Sequence, residues 1–178
     1  MRYKLQLIFS GLLLLAASCN KKDDDQPIDK LPPATMTGAN TFGCLVNGEP
    51  WLPHSEAIWD PALNMIHAQW PTGEWQLKVG ATKEYSGGDK DVYQIFILNV
   101  WNPVLGENSL SYSNRIYQDL KGCGEYHLDT TTAHSMFITR LDLANYIASG
   151  TFSFTAINAN CPDTIRVTEG RFDGDSHP

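Results

Sequence analysis

Residues 92–101 read VYQIFILNVW, and the fold class follows from them. Only Gln94 and Asn99 interrupt the apolar run, which is rich in β-branched and aromatic side chains. A run of this length and continuity predicts a strand covered on both faces, hence a central one. It stops at Asn102-Pro103, where proline removes a ladder donor.

Shorter β-prone runs, divided by Gly, Pro and Asn, lie on either side. Residues 64–70 and 75–82 flank Pro71-Thr72-Gly73-Glu74 and predict a hairpin. Residues 41–46 lead into Asn47-Gly48, a favoured two-residue turn, and Trp51-Leu52 begins the return. Downstream, runs at 110–117 and 125–128 precede 135–142, which alternates Met136 and Ile138 against Phe137 and Thr139. Residues 146–149 reach Gly150, and 151–156 alternate again, placing Phe152, Phe154 and Ala156 inward. Residues 164–168 and 170–173 complete nine or ten short strands. Their short connections predict antiparallel pairing, because parallel pairs need long crossovers. The expected fold is an all-β, antiparallel two-layer sandwich, with a small barrel as the alternative. A short helix is expected at 55–59 or at 141–146.

The amino terminus has a different character. Arg2 and Lys4 precede an apolar run over 5–15, and Ala16-Ala17-Ser18 lead to Cys19. This is the layout of a secretory signal, and it is too short for a mature bilayer span of about 20 residues. It resembles the lipobox of bacterial lipoproteins, although Ala16 stands where Leu is common. The resemblance implies cleavage before Cys19 and acylation of that cysteine, so that membrane lipid is a partner of the chain; several acyl chains anchor stably where one does not. Lys21-Lys22-Asp23-Asp24-Asp25 follows, a stretch with nothing to bury. It resembles the Lys-then-acidic signal of surface-exposed lipoproteins of Bacteroidota, which implies the outer membrane, facing the cell exterior. The expected organisation is a signal peptide at 1–18, a lipidated cysteine and flexible tether at 19–37, one all-β domain at 38–173, and a polar tail at 174–178.

Without residues 1–18 the chain carries 11 basic and 20 acidic residues, a formal charge of −9. That balance argues against nucleic acid, which requires a concentrated positive footprint. Cys44, Cys123 and Cys161 remain beside Cys19. One disulfide and one buried free thiol is the expected arithmetic, with three pairings open; Cys123 and Cys161 lie in loop-like surroundings and Cys44 in a strand. No CxxC spacing suggests a metal or redox motif.

Segments PPATMTGANTFGCLVNGEPWLP, FITRLDLANYIASGTFSFTAIN and IRVTEGRFD span nearly the whole mature chain. They resemble a family of uncharacterised lipoproteins of Bacteroidota. The resemblance implies a cell-envelope β domain and carries over no activity and no catalytic residue.

No GxSxG, HExxH or phosphate-cradling glycine loop occurs. His127 and Asp129 share one face of a strand with His134 near in sequence, and Glu84, Asp89 and Asp91 surround Gly87-Gly88. A solvated edge and an acidic loop are the ordinary explanations, and no cofactor or metal is expected. Five tryptophans are many for this size. Trp59, Trp70, Trp75 and Trp101 lie at or near strand ends, where exposed indoles can stack on a sugar ring or anchor a partner, against the alternative of core packing. The expected function is a non-catalytic cell-surface domain that binds a glycan or envelope component. A structural subunit of an outer-membrane complex is the alternative, and a carbohydrate hydrolase, which needs two facing carboxylates, comes third.

Overall fold

The computed structural model describes residues 26–56, 61–85, 92–111, 115–118 and 123–177. The signal peptide, Cys19, Trp59, Asp89 and Asp91 therefore lie outside the described residues.

The chain is all-β. Among the described residues, eleven strands follow a 3-10 helix at Pro27–Lys30: β1 (Thr41–Val46), β2 (Glu49–Trp51), β3 (Leu63–Gln69), β4 (Trp75–Tyr85), β5 (Val92–Trp101), β6 (Gly106–Asn108), β7 (Arg115–Gln118), β8 (Gly124–Leu128), β9 (Ser135–Asp142), β10 (Ile147–Asn158) and β11 (Cys161–His177). One layer runs β3-β4-β5-β7-β8, and β5 is its middle strand, as its apolar continuity predicts. The other runs β2-β1-β11-β10-β9-β6. Two-residue pairings join them at the corners, Ala156 and Ile157 with Leu128 and His127, and Ser176 and His177 with Met65 and Ile66. The layers thus stack as a sandwich and do not close into a barrel.

Period-two alternation fills the space between them. Leu77, Val79 and Ala81 of β4 and Phe96, Leu98 and Val100 of β5 are buried, facing Phe42, Phe152, Phe154 and Phe172 of the other layer. The ring of Phe96 lies 5.9 Å from Phe42, 4.5 Å from Trp51 and 6.4 Å from Phe154, so aromatic contacts cross the interior.

In the β10–β11 ladder Phe152 pairs with Gly170, and Gly150 with Phe172. A Cβ on Gly170 would meet the Phe152 ring at 2.4 Å, so each phenyl covers the bare backbone of the glycine opposite. Gly170→Val is expected to lower stability by about 1–3 kcal/mol through overpacking, read from the urea midpoint at unchanged slope.

Several expectations change. The pairing is not wholly antiparallel: β11 runs parallel to β3, because the long chain between them crosses from one layer to the other. Residues 164–168 and 170–173 form one strand of 17 residues, bent where Glu169 adopts φ 53° and the β1–β11 register shifts. The expected polar tail at 174–178 is part of the domain as far as it is described, since 174–177 belong to β11; Gly174 and Ser176 are buried there. Residues 143–146 form a turn rather than a helix, with Tyr146 at φ 56°.

The flexible tether to residue 37 gives way from Gln26 onward. Leu31 is buried, Pro32 lies against Gly43, and Arg171 donates to the Pro32 carbonyl. Residues 35–39 then strap across β11, held by Asp173. Its carboxylate accepts hydrogen bonds from the Thr35 hydroxyl (2.6 Å), the backbone N–H of Thr37 (2.9 Å), Gly38 (2.8 Å) and Ala39 (3.2 Å), and the Ser149 hydroxyl (2.6 Å). A charge with 1% exposure is tolerable only when so fully partnered.

Cys123 and Cys161 form a disulfide, while Cys44 is free and buried. Burial, slightly offset by Lys83, pushes the Cys44 thiol up to about 12.

Candidate functional site

The tryptophans of the β3–β4–β5 region collect at one end of the sandwich. β3 and β4 are joined by a turn in which the Trp70 N–H donates to the Glu74 carbonyl and the Gly73 N–H to the Trp70 carbonyl, both at 2.8 Å. Gly73 takes φ +91°, a conformation that glycine adopts without steric cost. β5 ends beside this turn, where Gln76 pairs with Trp101. Asn102 fastens the strands by donating its N–H to the Trp75 carbonyl (2.7 Å) and accepting the Trp75 N–H on its side chain (3.0 Å).

Trp70, Trp75 and Trp101 are 49%, 39% and 39% exposed, so all three keep a wet face. They do not form one plane. Trp101 alternates with Val100 and Leu98 and stands on the outer surface of the layer, where its ring centre lies 5.8 Å from that of Trp70, inclined at 57°. Trp75 shares the parity of Leu77 and Val79 and turns to the core side, stacking on His67 at 4.8 Å and 18°. Burial lowers the His67 pKa, favouring the neutral imidazole. Trp51, by contrast, is buried at the opposite end of β5.

Polar side chains hold the outer pair. The Trp70 indole N–H donates to Gln76 Oε1 (3.0 Å), and the Gln76 amide donates to Asn99 Oδ1 (3.2 Å). Asn99 is buried although it stands on the outer parity of β5. This relay engages the polar edge of Trp70, whose side chain remains about half exposed. Gln76 and Asn99 were not recognised in the sequence, where a glutamine and an asparagine inside strands look like ordinary solvent-facing residues. The interruption of the apolar run at Asn99 was the available signal. Val104 and Leu105, more than half exposed, follow directly, and Asn108 braces their loop by bonding to Val104 and Gly106.

The other candidate clusters do not assemble. His127 Nε2 lies 3.8 Å from Glu125, while Asp129 accepts from Thr131 and also feels the charge of His134, whose Nδ1 contacts the Thr132 carbonyl; the three do not converge at metal-ligating distance. Of the acidic loop group only Glu84 is among the described residues. Among those residues the group at metal-ligating distance is Cys123, Cys161 and Asp163, whose sulfurs are consumed by the disulfide. An open groove of about 450 Å³ lies along β3, lined by Pro61, Leu63, Met65 and Ile66, and includes none of the described tryptophans.

No family model, curated protein or solved structure matches the chain.

Proposed function

We propose that the domain is a non-catalytic module, lipid-anchored through Cys19 at the cell exterior, that binds a glycan on the open faces of Trp70 and Trp101. The observation supporting this reading is the exposed indole pair on the outer surface of the β3–β4–β5 layer, pre-set by the Gln76–Asn99 relay. Sugar rings present flat C–H faces that stack on indole, while amides fit their hydroxyls. A site ordered before its ligand arrives loses less entropy on binding. Trp75 rests on His67 and stands on the other parity, so it contributes an edge to the site rather than its floor.

The test is a titration of the intact protein with envelope and plant polysaccharides, read by tryptophan fluorescence. Trp70→Ala and Trp101→Ala are each expected to weaken binding at least tenfold, about 1.4 kcal/mol, with unchanged circular dichroism. Gln76→Ala is expected to weaken it less, by loosening Trp70. Undiminished affinity in both tryptophan variants, or no saturable change with any polysaccharide, would remove the glycan reading and favour assembly with an envelope protein.

A further inference from the structure

We infer that the end of the sandwich carrying the 3-10 helix and β2 sits against the lipid bilayer, which turns the Trp70–Trp101 end away from the membrane. The inference rests on the lipidation of Cys19 proposed above and adds the surface that meets the lipid and the direction in which the binding site points.

The first described residue is Gln26, seven residue steps beyond Cys19. Fully extended, that length spans at most roughly 25 Å. The 3-10 helix packs beside β2 and β1. β2 in turn is fastened to the start of β5, where the Trp51 indole N–H donates to Gln94 at 2.7 Å and its ring lies 4.5 Å from Phe96. From Gln94 to Trp101, β5 runs seven residues, about 23 Å at strand rise. The short anchor therefore reaches the bilayer easily with the β2 end down. With the tryptophan end down, the same seven steps would have to run taut along the full length of the sandwich.

The side chains at the near end fit a headgroup layer. Ile28, Leu52 and Tyr85 are each about 40% exposed, Lys30 is exposed on the 3-10 helix, and Lys83 Nζ lies 5.9 Å and 5.8 Å from the Trp51 and Tyr85 ring centres. Tyrosine rings settle at the membrane–water boundary, and lysines extend their ammonium groups into it.

The experiment uses the full lipidated protein in phosphatidylcholine–phosphatidylglycerol vesicles that carry a headgroup nitroxide quencher. A fluorophore is placed at Lys30→Cys or at Glu74→Cys, both exposed positions, Cys44 being buried and the other two cysteines being paired. Quenching is expected to be at least threefold stronger at position 30. Equal quenching, or stronger quenching at position 74, would overturn the inference. Flotation separates this from the anchoring itself: the unlabelled protein should float with vesicles and Cys19→Ser should not. If the two behave alike, the lipid anchor fails and the inference with it, whereas polysaccharide binding by Trp70 and Trp101 is measured independently.

Discussion

Asp173→Ala is expected to lower the unfolding free energy by about 3–5 kcal/mol, the largest loss of any single replacement considered for this fold. The carboxylate is buried between β11, β10 and the strap, and it accepts from Thr35, Thr37, Gly38, Ala39 and Ser149. Removing it strands several donors that water reaches poorly, and hydrogen bonds to a charged acceptor are worth about 1.5–3 kcal/mol each. Asp173→Asn keeps the shape and is also expected to destabilise, because its NH2 points donors at donors. The measurement is a urea melt at pH 7, together with proteolysis between residues 26 and 40, where the strap should be cut faster. A loss below 1 kcal/mol with an intact strap would mean that solvent replaces the carboxylate.

The same site sets an acid limb. Burial alone would raise the Asp173 pKa, but the hydrogen bonds from Ser149, Thr35, Thr37 and Gly38 outweigh it and hold the carboxyl well below the usual carboxylate range. A depressed folded-state pKa stabilises the fold above the unfolded value, about 3.9 for Asp, and that stability is lost as pH falls below it. Asp142, held at about 2 by Asn145 and Arg140, adds to the same limb. Stability of the unaltered chain should therefore fall steeply below about pH 4, and the fall should flatten in Asp173→Ala.

The second large effect is expected at the disulfide. Cys123 and Cys161 are 38 residues apart, and closing such a loop limits the unfolded chain by roughly 4 kcal/mol in the chain-entropy estimate. The bond ties the start of β8 to the start of β11, at the corner where β8 meets β10 through two residue pairs. Asn158 bonds to the carbonyls of Cys123 and Glu125 there, and the Tyr126 hydroxyl donates to Asp163, so the corner stays aligned while the chain is folded. Cys123→Ser with Cys161→Ser should lower stability by about 2–4 kcal/mol and leave the folded spectrum unchanged. Cys44 supplies an internal check: buried, with its thiol pushed up to about 12, it should react with a thiol reagent only on unfolding. Prompt reaction in the native protein would show that the core opens locally.

Sequence periodicity is a local property, and what it determines here is local. The continuity of residues 92–101 marks the middle strand of one layer, Phe152, Phe154 and Ala156 alternate into the core, and Pro71–Glu74 turns a hairpin because Gly73 accepts a positive φ. The all-β class follows from these, as does a disulfide with a buried thiol left over, since three cysteines beside Cys19 leave few arrangements.

Pairing across the molecule is not local, and three features depended on it. Asp173 reads in sequence as the last polar residue of a strand; only the fold brings Thr35 to Ala39, more than 130 residues away, around its carboxylate. The polar run at 174–177 offers no apolar pattern, yet β3 lends it a parallel partner and a covered face. The tryptophans are chemically identical along the chain, and their fates diverge by position in the sandwich. Trp51 lies under Phe96 between the layers, whereas Trp101 stands on the outer parity at the end of its strand, where no second layer covers it. Burial is decided by what a side chain meets from distant parts of the chain, so residue type and spacing determined the strands, and tertiary contact alone decided which indoles stayed in water.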